Sequence, residues 1–402
     1  MGGMVRQSDC KRGTGNRERE ARDGQRSGGL PVIREVEALV FRSPIAVPIK
    51  TSFGIMNDRP AVFVRVTDTA GATGWGEIWC NFPACGAEHR ARLVATVFAP
   101  LLKGQRVDDP RVTYADLSAK TAVLAIQAGE PGPIAGCIAA IDMALWDLTA
   151  RRAGQPLWKL LGGASPKVRV YGSALNPDQP ERLVAAKLAE GYRDFKLKVG
   201  FGEARDSANL AALRAMLPGE SQLMVDANQA WDLDTAIGMA RRMAEFNLRW
   251  LEEPLRADRP WSEWQVLAKQ SPIPLAAGEN LAGEEQFEAA VAARALATIQ
   301  PDMAKWGGFS GVLPVARRIQ AGGACYCPHY LAGGIGLLAS AHLLAAAGGE
   351  GLLEVDVNPN PLRTLTSGAL ASIRDGEAIL GSTPGLGIDP DLAQLREFAV
   401  RL

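Results

Sequence analysis

Residues 194–228 read DFKLKVGFGEARDSANLAALRAMLPGESQLMVDAN: a short apolar strand, a helical stretch, then a second strand that ends in an acid and an amide. The rhythm continues on both sides. Strand-like runs fall at 168–173 (VRVYGS), 194–199 (DFKLKV), 222–228 (QLMVDAN), 249–254 (RWLEEP), 274–280 (PLAAGEN), 297–302 (ATIQPD), 324–329 (ACYCPH) and 351–356 (GLLEVD). A recurrence of about 25 residues is the length of one βα unit. Eight in a row predict a closed parallel barrel. The rival, an open doubly wound sheet, calls for G-x-G-x-x-G after its first strand, and none follows here.

Upstream, VIREVEALVF (32–41), PAVFVRVTDTAG (60–71) and GWGEIW (74–79) alternate as an antiparallel meander. Residues 88–120 turn helical, and CIAAIDMALWDLTARRAG (137–154) repeats Ile138, Ile141, Leu145 and Leu148 at helical spacing before Gly154. An α+β domain therefore precedes the barrel.

The chain has 402 residues, 47% hydrophobic, with 44 Lys plus Arg balancing 44 Asp plus Glu. That balance offers no electrostatic case for nucleic acid or an acidic membrane surface. With no run of 18 apolar residues, no membrane span is expected. The first thirty residues are rich in Arg, Gly and polar residues and lack a signal peptide's apolar stretch, so they read as a disordered leader or an early start codon. Cys10, Cys80, Cys85, Cys137, Cys325 and Cys327 form neither C-x-x-C nor a zinc pattern, which suits reduced thiols in the cytoplasm.

Nearly every barrel strand ends in a charged or polar residue. These are Lys196 and Lys198, Asp226 and Asn228, Glu252 and Glu253, Glu279 and Asn280, Asp302, His329, and Glu354 with Asp356. A barrel brings such ends to one face, where active sites lie. A lone strand-end acid commonly caps a helix. Asp226, Glu252 and Glu279 end three consecutive strands, however, and carboxylates so gathered repel unless a hard cation such as Mg²⁺ joins them. Lys196 and Lys198 face the same side of their strand. Protective charges on an edge strand would explain them, but a barrel has no edge. Two enclosed ammonium groups should lower each other's pKa, making one a general base near neutral pH. His329 follows Asp302 by one strand, so an Asp–His pair that fixes the imidazole tautomer is feasible. His342, in the apolar LLASAHLLAAA, reads as packed, and His89 as a surface residue.

The ordered set FKLKVG, MVDANQAWD, WLEEPL, AAGEN, PDMAKWGG, PHY and LLEVD, with AIDMALWDLTARRAGQPLWKLLGG before it, resembles the enolase superfamily, and within it the mandelate racemase group with its many acid-sugar dehydratases. The resemblance runs over about residues 31–395. It implies an α/β fold: a modified (β/α)7β TIM-type barrel (161–380), an α+β capping domain (31–160), and a segment returning to the cap (381–402). It implies one Mg²⁺ per subunit on Asp226, Glu252 and Glu279. Lys198 would be the base on one substrate face, and Lys196 its partner at the substrate carboxylate. His329 with Asp302 would be the acid/base on the other face. Glu354 would hydrogen-bond a carboxylate oxygen, and Asn228 would sit near substrate or metal. Lys305 in PDMAKWGG has a counterpart in the muconate-lactonizing and dipeptide-epimerase group, whereas His329 and Glu279-Asn280 follow the mandelate racemase type. The implied partner is a small hydroxy-carboxylate, and the implied assembly a homo-oligomer. The implied reaction is proton abstraction α to a carboxylate through an enediolate, leading to dehydration of a sugar acid or diacid to a 2-keto acid. Racemisation or epimerisation at the same two-base site is the alternative, and a non-catalytic sugar-acid-binding barrel a further one. Specificity is expected from residues 47–59 and 80–90 of the cap, with the Gly-rich stretch after His329 leaving space.

Overall fold

The computed structural model describes residues 1–2, 32–50 and 54–402. The leader expected at the N-terminus, Cys10, and Thr51, Ser52 and Phe53 lie outside the described residues. Strands β1 (Ile33–Lys50), β2 (Ile55–Asp68) and β3 (Thr73–Ile78) form an antiparallel sheet in the order β1-β2-β3. β1 and β2 run further than their alternation suggested. A register shift between Pro44 and Ile49 lets the ladder resume at Ile49–Met56. Much of the 47–59 segment from which specificity is expected is thus a two-stranded ribbon.

Eight parallel strands follow: β4 (Lys167–Leu175), β5 (Asp194–Lys198), β6 (Leu223–Asp226), β7 (Leu248–Glu252), β8 (Leu275–Ala277), β9 (Thr298–Ile299), β10 (Cys325–Tyr326) and β11 (Leu352–Asp356). A short β12 (Glu377–Ile379) pairs antiparallel with the start of β4. The order β10-β9-β8-β7-β6-β5-β4-β11 is a nearly closed barrel. Among the described residues its one unladdered seam, between β10 and β11, is crossed by the Leu352 amide donating to Cys327 Sγ at 3.3 Å. Tyr171, Met224, Trp250, Ala276, Cys327 and Leu352 fill the barrel floor, so the polar strand ends above them stand on a solid base.

The helix Pro131–Arg152 is long and apolar enough by composition to cross a membrane, yet most of it is buried inside the protein. One side, with Ile134, Ile138, Ile141, Leu145 and Leu148, packs in the cap core, while Met143 and Ala150 join the barrel core. Gly74 and Gly76 of β3 let the sheet approach this helix: a Cβ at either would stand 2.0 Å from a helix carbonyl oxygen. Three buried acids then lock the layers together. Glu77 accepts from the Gly333 and Gly336 amides (2.6 and 2.8 Å) at the start of the helix Gly334–Ala347. Asp142 accepts from the Phe309 and Ser310 amides (2.7 and 3.0 Å) at the start of the helix Gly308–Ala321. Asp147 accepts from the Trp75 and Leu386 amides (2.9 and 2.7 Å). Orphan amides at helix starts favour negative charge, so Glu77 and Asp142 fix the cap over the barrel's open end. Burial still pushes Glu77 and Asp142 up to about 7 and Asp147 to about 6.

Candidate active site

The short strands β5 to β7 place their last inward residues at one level, and register pairing sets Lys198 beside Asp226 and Asp226 beside Glu252. Asn228 and Glu253 then take left-handed backbone (φ 43° and 41°), turning the chain sharply out of the barrel. Lys196 Nζ lies 2.5 Å from Glu252 Oε1, 2.8 Å from Glu354 Oε1 and 4.0 Å from Asp226 Oδ2. Burial opposes the ammonium charge, but Glu252 and Glu354 more than offset it and hold Lys196 well above the usual lysine range. The expectation that the two lysines depress each other is therefore corrected for Lys196: the carboxylates across the barrel outweigh its fellow cation. Lys198 Nζ donates to Asn228 Oδ1 at 2.5 Å and stands 3.8 Å from Asp226 Oδ2.

His329 and Asp302 come together, with Nδ1 2.8 Å from Asp302 Oδ2. The Ala304 amide donates to the other Asp302 oxygen (2.8 Å), leaving Oδ2 for the ring. The opposite nitrogen, Nε2, is 2.7 Å from Glu279 Oε2 and 3.8 Å from Glu354 Oε2. Burial works against an imidazolium here, yet Glu279 and Glu354 hold its pKa well above the usual value. Glu279 also meets Lys305 Nζ at 3.3 Å, and that ammonium lies over the Trp79 ring (4.6 Å). Glu354 is fully buried, held by Ser173 Oγ (2.5 Å), Lys196 and the Tyr330 amide (3.3 Å).

Lys198, His329, Glu279 and Asn228 line one cavity of about 50 Å³ with Ile49, Met56, Arg59, Trp79, Asn81, Phe82, Leu331 and Asp356. Cap and barrel both contribute, so the cap closes the site over the strand ends. His342 stands apart: Nδ1 accepts from the Trp158 amide (3.0 Å) and Nε2 lies 3.3 Å from the Leu386 carbonyl. His89 is half-exposed and meets Glu130 at 3.0 Å.

The three acids expected to hold a metal end adjacent strands, but among the described residues no three His, Cys, Asp or Glu side chains surround a single point as ligands. Glu252 turns to Lys196, Trp250 Nε1 (3.0 Å) and Gln300 Nε2 (2.7 Å), and Glu279 turns to His329. The donor set nevertheless fits a hard cation. Asp226, Glu252, Glu253, Glu279, Asp302 and Glu354 outnumber Lys196, Lys198, Lys305 and His329. Burial, with repulsion from Asp226, pushes Glu252 up to about 7 despite Lys196. Burial, with Glu279 and Asp226, holds Glu253 well above its usual value, and among the described residues its Oε2 has no hydrogen-bond partner. Oxygen donors with surplus negative charge are what Mg²⁺ requires.

Residues 34–162 match the pattern of the mandelate racemase / muconate lactonizing enzyme N-terminal domain, and residues 180–394 that of the enolase C-terminal domain-like family. The chain belongs to the mandelate racemase/muconate lactonizing enzyme family. It shares 59% identity and a TM-score of 0.86 with a family member from Bordetella bronchiseptica RB50, the match covering 91% of this chain and 99% of that one. It is 32% identical over 304 residues to a 3,6-anhydro-alpha-L-galactonate cycloisomerase of Streptomyces coelicolor, covering 74% of this chain and 82% of the relative. A substituted L-talarate/galactarate dehydratase, crystallised with magnesium and L-glucarate, superposes with a TM-score of 0.80 at 27% identity, covering 98% of this chain and 96% of that one. Other relatives are named as sugar-acid dehydratases, muconate cycloisomerases and a racemase. The chain is an enzyme of the mandelate racemase/muconate lactonizing type.

Sequence reading singled out neither Arg59 nor the roles of Trp250 and Gln300 in holding Glu252. Gln300 carries a weak signal, a polar residue just before the PD of a strand end. Arg59 ends the 47–59 stretch from which specificity was expected, but nothing marked it out within that stretch, because its partner Asp356 sits far away in sequence.

Proposed function

We propose that this enzyme abstracts the proton α to the carboxylate of a hydroxy acid and eliminates a β-oxygen, giving a 2-keto acid. The observation carrying this reading is that Lys198 and His329 line the same cavity, with Asp302 on the far nitrogen of the imidazole. Lys198 Nζ takes the α-proton, passing from Asn228 to substrate. Lys196, flanked by Glu252 and Glu354, anchors the carboxylate end and counters the charge that develops there. Mg²⁺ held by Asp226, Glu252 and Glu279, one per subunit, supplies further charge stabilisation when bound. His329 donates from Nε2 to the departing oxygen, while Asp302 keeps the ring in the required tautomer. With water as the product the reaction is a dehydration, and with a ring oxygen leaving, a ring opening; relatives named as dehydratases and as cycloisomerases are both present.

The test is turnover of hexonates, pentonates and sugar diacids with Mg²⁺ in D₂O, reading 2-keto acid formation and α-deuterium uptake. Elimination should vanish in Lys198→Ala and in His329→Asn. Full elimination by either variant contradicts that residue's role. Deuterium uptake with no elimination for any acid would make the enzyme a racemase or epimerase, and no uptake at all would make it a binder.

A further inference from the structure

We propose that Arg59 is a specificity-determining residue that holds a second, distal carboxylate, so that the substrates are dicarboxylic hydroxy acids; this rests on the site described above being the one that turns over substrate. Arg59 comes from the cap strand β2, is 3% exposed, and lines the cavity that Lys198 and His329 line. A guanidinium carries five N–H donors, and buried donors are almost always satisfied. Among the described residues Arg59 uses only one on oxygen: NH2 donates to Asp356 Oδ2 at 2.5 Å. NH1 meets the Met56 thioether at 3.8 Å, and Nε has no partner.

Asp356 is itself shared among several donors. Its Oδ1 accepts from the Asn358 amide and side chain (2.9 and 3.0 Å), and a second guanidinium, Arg363, lies 3.5 Å from Oδ2. Arg59 and Arg363 share this one carboxylate, so Asp356 is not given over to Arg59 alone, and a further anion beside Arg59 would meet donors that Asp356 leaves unused. The neighbouring wall residues Ile49, Met56, Phe82 and Leu331 are apolar, so they give a bound anion no competing partner. Arg59 thus offers, on the same cavity as Lys198 and His329, a fork suited to carboxylate recognition.

The experiment reads a ratio, which general damage to the fold does not move selectively. With Mg²⁺ present, kcat/KM is measured for six-carbon aldarates and for aldonates of the same configuration. Wild type should prefer aldarates by at least about tenfold, the discrimination expected when a built polar site meets a substrate lacking its partner. In Arg59→Gln the ratio should fall toward one, and Arg59→Lys should fall between. A wild-type preference for aldonates, or a ratio unchanged by Arg59→Gln, overturns the proposal. Calorimetric binding of 2-oxoadipate against 2-oxohexanoate, which differ by the terminal carboxylate, needs no turnover and separates the two readings. If elimination fails but the diacid binds at least about tenfold tighter and loses that advantage in Arg59→Gln, the distal site stands while the proposed reaction falls. If the two acids bind equally to wild type, the distal site falls whatever the reaction proves to be.

Discussion

His342 provides a quantitative test of how the barrel core is built. Burial holds its imidazole at about 4, against 6.5 in the unfolded chain. On acidification the unfolded state therefore binds this proton first. The stabilising contribution is complete at pH 8 and declines as the pH falls through 6.5 towards 4. At 1.36 kcal/mol per pH unit the full loss is about 3 kcal/mol, and between pH 8 and pH 5 it is about 2 kcal/mol. Glu77, Asp142 and Asp147 are held above their usual values and act with the opposite sign, so the quantity to measure is a difference. His342→Asn keeps an acceptor for the Trp158 amide and removes the titration. Urea denaturation of both proteins should show the gap between them shrinking by about 2 kcal/mol from pH 8 to pH 5. The chain has three histidines, so ¹³C-histidine NMR can follow each ring directly. A His342 resonance titrating near 6.5, or a gap constant with pH, would refute the reasoning.

Chelating divalent cations should stop α-proton exchange and lower the Tm, with Mg²⁺ at a hundredfold excess over its Kd restoring about 2.7 kcal/mol; a Tm indifferent to Mg²⁺ argues against the acidic strand ends as ligands. Gly76→Ala should cost about 3 kcal/mol in urea denaturation, the upper end of overpacking, because its Cβ would sit 2.0 Å from the Ala140 carbonyl oxygen. An unchanged midpoint would mean that the helix can back away. Cys325 should be alkylated by iodoacetamide at pH 7 well before Cys80 and Cys137. A hydrogen bond from Cys327, opposed by burial and aided by Arg249, brings the Cys325 thiol down to about 6, while burial pushes the other two up to about 12. Peptide mapping that finds the three labelled alike contradicts that order.

The barrel was legible because each strand is a brief apolar run ending in polar residues, and β4 to β11 each overlap one of the expected spans. Convergence at one end follows from the topology, which is why Lys198, Asn228, Glu279 and His329 could be placed around one cavity from spacing alone. The extended β1–β2 ribbon was hidden by Pro44 and Pro48, which interrupt the alternation and shift the register without ending the pairing. The electrostatic state of Lys196 was misjudged because neighbours in sequence were visible and neighbours across the barrel were not. Glu252 and Glu354 reach it from strands β7 and β11, and only the closed geometry reveals that they outweigh Lys198. Arg59 was hidden for the same reason, since its environment is assembled by docking the cap on the barrel.

The seam between β10 and β11 has a mechanical consequence. A cylinder stitched by backbone ladders everywhere except along one line concentrates its give at that line. His329 follows β10 on one lip, and Glu354 belongs to β11 on the other, with 3.8 Å between their polar atoms. Only side-chain contacts, the Cys327 thiol and the Glu354 carboxylate that accepts from the Tyr330 amide, bridge that line among the described residues, so a slight parting of the lips would alter the spacing at the imidazole.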